Sequence, residues 1–407
     1  MKIILFEFRK NILRKAVIIS TIILICINIF VIYAQCRYNN DAFTNEVNIY
    51  NSSAEEWNYY KELHNQIDGK ITEKKQDKII ALYNSLKEKI DKDDYISGYT
   101  KDAKTGYEFG DYSLVESNFY LPMKYFVSYR SKNDDIVDKA KENVKFYRKT
   151  GYSYEFKKNQ YIVKRYSGRN LSEFYDTTGW KKLFQYNFSD VVLIVLMFLC
   201  ILPLFQQERI NGMENIILGT KKGRKMYFAG KYISVILGNI LFLMIITGVN
   251  YFVFDVIYGL NGTEMPVYAL EEYQYSPYNL TMLQMYLIMC GLKCLALIVI
   301  CTLFSFVSNI SRNTIISFLI FIAIIIIELY DSGFICSDAP KRVLWAVISP
   351  FALFKSNNMF KSFYDMNILG KFCPRISVCI FAQFIIEMTL ILLTYWKYKH
   401  FNMRKES

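Results

Sequence analysis

Two long, almost purely apolar stretches constrain this chain more than any other feature. They read AVIISTIILICINIFVIYA (16–34) and NTIISFLIFIAIIIIELY (313–330). A bilayer has a hydrocarbon core about 30 Å thick, which a helix crosses with roughly 20 residues at about 1.5 Å each. An apolar helix in a soluble protein would show a polar face, and these stretches show almost none. The sequence therefore predicts an all-α polytopic membrane protein.

Four further apolar blocks bring the predicted number of membrane spans to six. The predicted spans are 16–34, 188–205, 233–258, 281–308, 313–330 and 376–396. Residues 1–15 mix aliphatic and aromatic side chains with Arg and Lys. This pattern fits either a cytosolic amphipathic helix lying at the membrane interface or a simple charged flank.

The segment 36–187 is too polar to span a membrane and too long to be a loop. We expect a folded domain here, either α+β or mostly helical. Its early part, 54–90, has helical spacing. Residues 153–166 alternate aromatic and polar side chains, which predicts a β-hairpin. Near the end of the chain, the segment 331–375 contains an apolar stretch that is too short to cross and is interrupted by Pro350, so a short interfacial or re-entrant helix is predicted there.

The distribution of Lys and Arg predicts the orientation in the membrane. The N-terminal lead, residues 206–231 and the tail 397–407 are all basic and lie on one side if there are six spans. The opposite loop, 259–280, contains no Lys or Arg, whereas 331–375 departs from the rule. We expect a multi-pass plasma-membrane protein with both termini in the cytosol and the 36–187 domain outside. The abundance of Lys, Asn, Ile and Tyr suggests an AT-rich bacterial genome.

The net charge of +12 does not indicate a nucleic-acid partner, because the basic residues flank spans and match no nucleic-acid-binding motif. Most of the nine cysteines lie in apolar runs, where they act as small hydrophobic residues, so no metal site is expected. A disulfide between Cys336 and Cys373 is left open. The chain has only two histidines, His64 and His400, and no recognisable nucleophile–base arrangement, so no catalytic site is predicted.

Two charged residues lie within predicted spans. Lys293 in the fourth span and Glu387 in the sixth are each about 17 Å from the outer end of their span at helical rise. A lone charge at this depth is costly, so each needs a partner or a wet cavity. We expect the two to form an intramembrane polar pair, which would either hold the helices together or lie along a substrate path.

The most distinctive motif is the basic segment QQERINGMENIILGTKKGRKMYFAGK (206–231), between the second and third predicted spans. It predicts a short helix, a basic turn and a lysine at the start of the next span. Gly219 and Gly223 do not form a phosphate loop, because that motif needs four residues between its glycines, followed by Lys and Ser or Thr. The chain is therefore not expected to hydrolyse ATP by itself.

This segment resembles the cytoplasmic loop of the permease subunits of type-two ABC exporters. The predicted ATPase-coupling residues are Glu208, Gly212, Glu214, Leu218, Thr220, Gly223, Arg224 and Lys231. The N-terminal helix, the six spans and the interruption before the last span also resemble this family. The large domain after the first span departs from its plainest members.

The resemblance implies a transporter subunit, not an enzyme, that binds no cofactor itself. A separate ATP-binding subunit would carry ATP and magnesium and dock on residues 206–231. A second permease subunit would complete a homo- or heterodimer in membrane lipid. The substrate would be a peptide, a drug-like molecule or a lipid-like molecule.

Three alternatives remain at this stage. Residues 206–231 could be a basic loop that only fixes the orientation of the chain. The protein could be a multi-span sensor or scaffold whose outer domain binds a ligand or partner, although no large cytosolic output domain is evident. It could also be a permease that moves its outer domain and carries nothing through its spans, but such proteins usually have four.

Overall fold

The structure, a computed structural model, describes residues 2–38, 54–92, 103–105, 108–311, 313–332 and 340–399. The helices are α1 (Lys2–Asn11), α2 (Lys15–Tyr38), α3 (Ala54–Ile67), α4 (Glu73–Lys92), α5 (Glu108–Val115), α6 (Leu121–Thr150), α7 (Ser153–Tyr166), α8 (Thr178–Gln185), α9 (Phe188–Ile210), α10 (Met213–Gly219), α11 (Lys221–Tyr258), α12 (Met282–Ile310), α13 (Thr314–Ser332), α14 (Pro340–Ile348), α15 (Asn357–Lys361) and α16 (Arg375–Lys399). The strands are β1 (Gly69–Lys70), β2 (Glu173–Phe174), β3 (Asp365–Ile368) and β4 (Lys371–Pro374).

Within the described residues, five helical stretches are long and apolar enough to cross a membrane. They are Lys15–Gln35, Thr178–Ile210, Met226–Tyr258, Met282–Ile310 and Arg375–Lys397. Helix α13 occupies the position of the predicted fifth span, but its described apolar stretch, Thr314–Ile327, is shorter. The protein is thus mostly helical and of the membrane class, and a count of six spans remains a prediction.

The membrane-length helices differ in how much of them is buried. The buried share of the apolar stretch is 56% for the stretches containing α9 and α12, but 17% for that of α2 and 11% for that of α16. Helix α11 packs against α9, α12 and α1. Helices α9, α11 and α12 therefore form the centre of the bundle, and α2 and α16 leave large apolar surfaces for lipid or another subunit.

The region between α2 and α9 forms a mostly helical domain, which we call the polar domain (described residues 54–92, 103–105 and 108–187). The predicted helical region 54–90 consists of two helices, α3 and α4, separated by β1. Strand β1 pairs antiparallel with β2, which precedes α8. This pairing joins the beginning of the polar domain to the segment that returns the chain to the membrane helices.

The predicted β-hairpin at 153–166 is wrong, because these residues form α7. Gly151 ends α6 in the left-handed conformation (φ 78°), which allows the chain to reverse direction at once. Helices α6 and α7 then pack side by side, and the Asn133 side-chain amide donates to the Tyr166 carbonyl oxygen at 2.8 Å. Tertiary packing against α6 has overridden the strand-like alternation of aromatic residues.

The segment before α16 contains the predicted short helix, α14, and also an antiparallel hairpin formed by β3 and β4. This hairpin contacts the polar domain. Lys158 of α7 forms an ion pair with Asp365 at 3.2 Å, and Tyr154 donates a hydrogen bond to the same carboxylate. The ring of Tyr161 lies 5.2 Å from that of Phe372. The polar domain therefore touches the segment that leads directly into α16.

Candidate functional site

The candidate site is the connection between α9 and α11, which we call the α9–α11 junction (residues 206–231). Helix α9 ends at Ile210, and Gly212 adopts a left-handed conformation (φ 68°) before the seven-residue helix α10. Thr220 then caps α11 by accepting a hydrogen bond from the backbone nitrogen of Gly223 at 3.0 Å. The expected basic turn is therefore wrong: Lys221 and the basic residues after it form the first turns of α11.

Glycine is required at two positions of the junction for different reasons. At Gly212 the positive φ angle disfavours any residue with a Cβ atom. At Gly223 an added Cβ would overlap the carbonyl oxygen of Ile217 and the hydroxyl oxygen of Thr220. Two glycines that the family resemblance singled out thus fix the path of the chain around α10.

Glu208 and Lys231 meet in a buried ion pair. The Glu208 carboxylate lies 2.8 Å from the Lys231 ammonium and 2.6 Å from the Lys10 ammonium. Lys231 is only 1% exposed, also donates to the Leu204 carbonyl oxygen, and lies 4.5 Å from the centre of the Tyr227 ring. These contacts join α1, α9 and α11, so neither Glu208 nor Lys231 is available on the surface as a docking residue.

Arg209, which the sequence analysis did not single out, ties α10 to the end of α12. Its guanidinium lies 2.7 Å from the Glu214 carboxylate and donates to the carbonyl oxygens of Asn309 at 2.7 Å and Ser311 at 2.9 Å. Lys397 of α16 donates to the same Asn309 carbonyl oxygen at 2.6 Å. Cations at the last carbonyl groups of a helix are favourable. The signal in the sequence was an arginine five residues before Glu214.

Three apolar side chains of the junction are exposed, beside the exposed polar residues Gln207, Asn211 and Thr220. Ile210 is 81% exposed, Met213 49% and Ile216 68%, whereas Leu218 is fully buried and holds α10 against the bundle. Arg224 lies in the first turn of α11, and its side chain is outside the described residues. The junction therefore presents a small apolar surface on a short helix whose ends are fixed.

The two intramembrane charges do not pair with each other. The Lys293 ammonium lies 2.6 Å from the carboxylate of Asp190, the third residue of α9. Glu387 of α16 instead accepts hydrogen bonds from the hydroxyl groups of Tyr232 and Thr302, the latter at 2.8 Å. The predicted pair is therefore wrong, although each residue does have a polar partner.

The prediction that Lys293 pairs with Glu387 was wrong because it assumed that all spans begin at the same depth in the membrane. Helix α8 packs against α11 and returns the chain from the polar domain before α9 begins. As a result, the start of α9 lies level with Lys293, which is eleven residues after the start of α12 at Met282. A charge near the end of one helix can therefore meet a charge in the middle of another.

The sequence analysis also did not predict several other polar contacts inside the helical bundle. The Asn28 side chain of α2 donates to the Asn250 side-chain oxygen at 2.7 Å and accepts from the Tyr186 hydroxyl at 2.8 Å. The Gln206 amide donates to the Ser317 hydroxyl at 3.2 Å, which links α9 to α13. The sequence signal for these contacts is the presence of amide side chains within apolar runs, because such side chains form hydrogen bonds between membrane helices.

Within the described part of the chain, no group of three His, Cys, Asp or Glu residues could hold a metal ion. His64 is buried beside Asp68 at 2.8 Å, whereas His400 and Cys336 lie outside the described residues. The Cys336–Cys373 pairing, which the sequence leaves open, therefore involves a residue outside the described part of the chain. Comparison with known proteins found no matching family model, no matching curated protein and no matching solved structure.

Proposed function

We propose that this protein is the membrane-spanning permease subunit of an ABC exporter and that a separate ATPase subunit binds the α9–α11 junction. The observation that carries this proposal is a set of exposed apolar side chains at α10. Met213 and Ile216 belong to α10, and Ile210 is the last residue of α9. A short helix with an apolar surface fits a groove in a partner protein. Its anchored ends would pass a displacement of the partner to the long helices.

In this proposal the residues of the junction have separate roles. Ile210, Met213 and Ile216 would contact the ATPase subunit. Glu208 and Lys231, which lie in the buried pair, would transmit the displacement to α1, α9 and α11. Arg209 and Glu214 would transmit it to the ends of α12 and α16. The two glycines and Thr220 would set the position of α10.

The proposal includes an orientation and partners. The α9–α11 junction and both termini would lie in the cytosol, and the polar domain would lie outside the plasma membrane. ATP and magnesium would bind to the ATPase subunit. The apolar surfaces of α2 and α16 would contact lipid or a second permease subunit. A peptide, drug-like or lipid-like substrate would move between the spans.

The test is co-purification of ATPase activity with the tagged protein. The protein would be extracted from its native membranes with a mild detergent, and ATP hydrolysis in the purified sample would be measured. We expect Ile216→Asp to abolish this activity, because the charge falls on the exposed surface of α10. The matched control is Val127→Asp, which places the same charge at an exposed apolar position of α6 (54% exposed).

A wild-type sample without ATPase activity would contradict the proposal. Equal loss of activity in Ile216→Asp and Val127→Asp would show that the apolar surface of α10 has no special role. Gel filtration of both variants would establish that they remain folded and monodisperse.

One observation favours the alternative of a membrane sensor. The polar domain contains a cavity of about 510 Å³ where it meets the loop between α11 and α12. A ligand-binding domain on a multi-span base would need such a cavity. If no ATPase subunit co-purifies, this cavity becomes the first place to look for a function.

A further inference from the structure

Four parts of the chain line the cavity. They are helix α3, residues 117–126 leading into α6, residues 174–181 leading into α8, and the loop 269–274 between α11 and α12. Its volume of about 510 Å³ falls in the range of about 300–1,000 Å³ that is usual for small-molecule sites. The cavity is therefore large enough for an organic molecule and joins the polar domain to the membrane helices.

Aromatic side chains form the interior of the cavity. Tyr60, Tyr125, Phe126 and Phe174 are all buried. The rings of Phe126 and Phe174 meet edge to face with their centres 5.2 Å apart. Because the Tyr125 hydroxyl donates to the Tyr268 carbonyl oxygen at 2.6 Å, its polar group is already used. These rings offer a π surface to a ligand.

The tyrosine hydroxyl groups of this interior stay neutral. Burial raises the pKa of Tyr60 well above its usual value, and the neighbouring Asp176 carboxylate raises it further. Burial is also the main reason that the pKa of Tyr125 is raised. Both side chains thus remain uncharged phenols, so the negative charge around the cavity comes from carboxylates.

Three carboxylates line the cavity: Asp176, Glu271 and Glu272. Glu272 is paired with Lys361 at 2.7 Å and lies 3.7 Å from Lys181. Asp176 accepts a hydrogen bond from the backbone nitrogen of Thr178 at 2.9 Å. Within the described residues, neither Asp176 nor Glu271 forms an ion pair. The cavity therefore combines aromatic walls with two carboxylates, Asp176 and Glu271, that no cation of the described residues pairs with, although Lys181 also lines it beside Glu272.

We propose that this cavity binds an organic cation, namely a molecule with an ammonium or guanidinium group attached to an apolar body. A cation is attracted both to the faces of aromatic rings and to carboxylates, and the apolar body would pack against Phe126 and Phe174. An anionic ligand would be repelled by Asp176 and Glu271. A neutral ligand would leave both carboxylates without a charged partner.

The test uses three probes of matched shape: 4-phenylbutylamine, 4-phenylbutanol and 4-phenylbutyrate. Binding to the full-length protein in lipid nanodiscs would be measured by calorimetry, and empty nanodiscs would give the background from partitioning into lipid. We expect the amine to bind at least about tenfold more tightly than the alcohol, and the acid not to bind, because hydrogen bonds to charged groups are stronger than those between neutral groups.

Two variants locate the site. Glu271→Gln and Asp176→Asn should each weaken binding of the amine about tenfold, because each removes one negative charge and preserves the shape of the side chain. The matched control is Glu264→Gln, an exposed carboxylate of the same loop that does not line the cavity. It should bind the amine as the wild type does, and thermal unfolding would establish that all three variants are folded.

Equal binding of the amine and the alcohol would overturn the proposal, as would failure of the amine to bind or unchanged binding in both cavity variants. The measurement needs neither ATP nor an ATPase subunit. It can therefore fail while the proposed exporter function holds, and it can succeed while that function fails.

Discussion

Two carboxylates inside the helical bundle are held in different ways. Asp190 faces a full opposite charge, the Lys293 ammonium at 2.6 Å. Glu387 faces only the hydroxyl groups of Tyr232 and Thr302, and within the described residues its second oxygen has no hydrogen-bond partner. The first arrangement joins α9 to α12, and the second joins α11, α12 and α16.

This difference determines how each site responds to a mutation. Removing one member of a buried ion pair leaves the other as an uncompensated charge, which is very costly. Removing a carboxylate that only accepts hydrogen bonds leaves neutral hydroxyl groups, which can bond to each other. Tyr232 and Thr302 already lie 2.7 Å apart. Predictions at Lys293 and Glu387 test this comparison directly, and a prediction at Lys231 adds a third buried carboxylate, Glu208, which two cations hold.

The largest effect is expected at Lys293. Lys293→Met keeps much of the side-chain volume but leaves the Asp190 carboxylate buried without a cation. We expect the free energy of unfolding to fall by about 3–5 kcal/mol. It can be measured by unfolding the protein in mixed detergent micelles with increasing SDS, using tryptophan fluorescence.

The control for this prediction is the double variant Asp190→Leu/Lys293→Met, which removes both charges. It should recover most of the lost stability, because a buried ion pair can often be replaced by apolar residues of similar volume. If the single variant were as stable as the wild type, the pair would not be buried as the structure describes.

An intermediate effect is expected at Lys231 in the α9–α11 junction. Lys231→Met removes one of the two cations around Glu208, but Lys10 remains 2.6 Å away. We expect a loss of about 1–3 kcal/mol in the same unfolding measurement, because a charged group loses one buried partner and keeps the other.

Lys10→Met provides the comparison for Lys231. The Lys10 side chain is 31% exposed, whereas that of Lys231 is 1% exposed. Partly solvated pairs contribute little, so the loss should be below about 1 kcal/mol. If Lys10→Met lowered the free energy of unfolding more than Lys231→Met does, Lys10 and not Lys231 would be the main partner of Glu208.

The smallest effect is expected at Glu387. Glu387→Gln retains an oxygen that can accept from Tyr232 and Thr302, so the free energy of unfolding should change little. Glu387→Leu should lower it by about 0.6 kcal/mol, the average found for hydrogen bonds between membrane helices. If Glu387→Gln destabilised the protein as much as Lys293→Met, the two carboxylates would be held in the same way after all.

The positions of the long helices could be predicted from sequence, and their polar contacts could not. The apolar runs coincide with α2, α9, α11, α12 and α16, because a helix satisfies its own backbone hydrogen bonds and needs only a long apolar stretch. The pairing of Lys293 with Asp190 depended on the depth at which α9 begins, and no local pattern encodes that depth.

The candidate site likewise has features that could be predicted from the sequence and features that could not. A short helix was predicted within the segment 206–231, and Gly212 and Thr220 at the ends of α10 act locally. That Glu208 and Lys231 would be buried together was not predictable, because their burial depends on α1 packing against α11. In the polar domain, residues 153–166 became a helix because α6 offered a surface to pack against.

The sequence by itself determined the membrane class of this protein, the polar domain between two long helices and the basic segment that contains α10. Apolar length and backbone geometry set these features within single stretches of chain. Only the tertiary structure decided which buried charges meet, which part of the junction is exposed, and that Tyr60 and Glu271 line one cavity. Those outcomes require segments far apart in sequence to pack together, and packing depends on the whole fold.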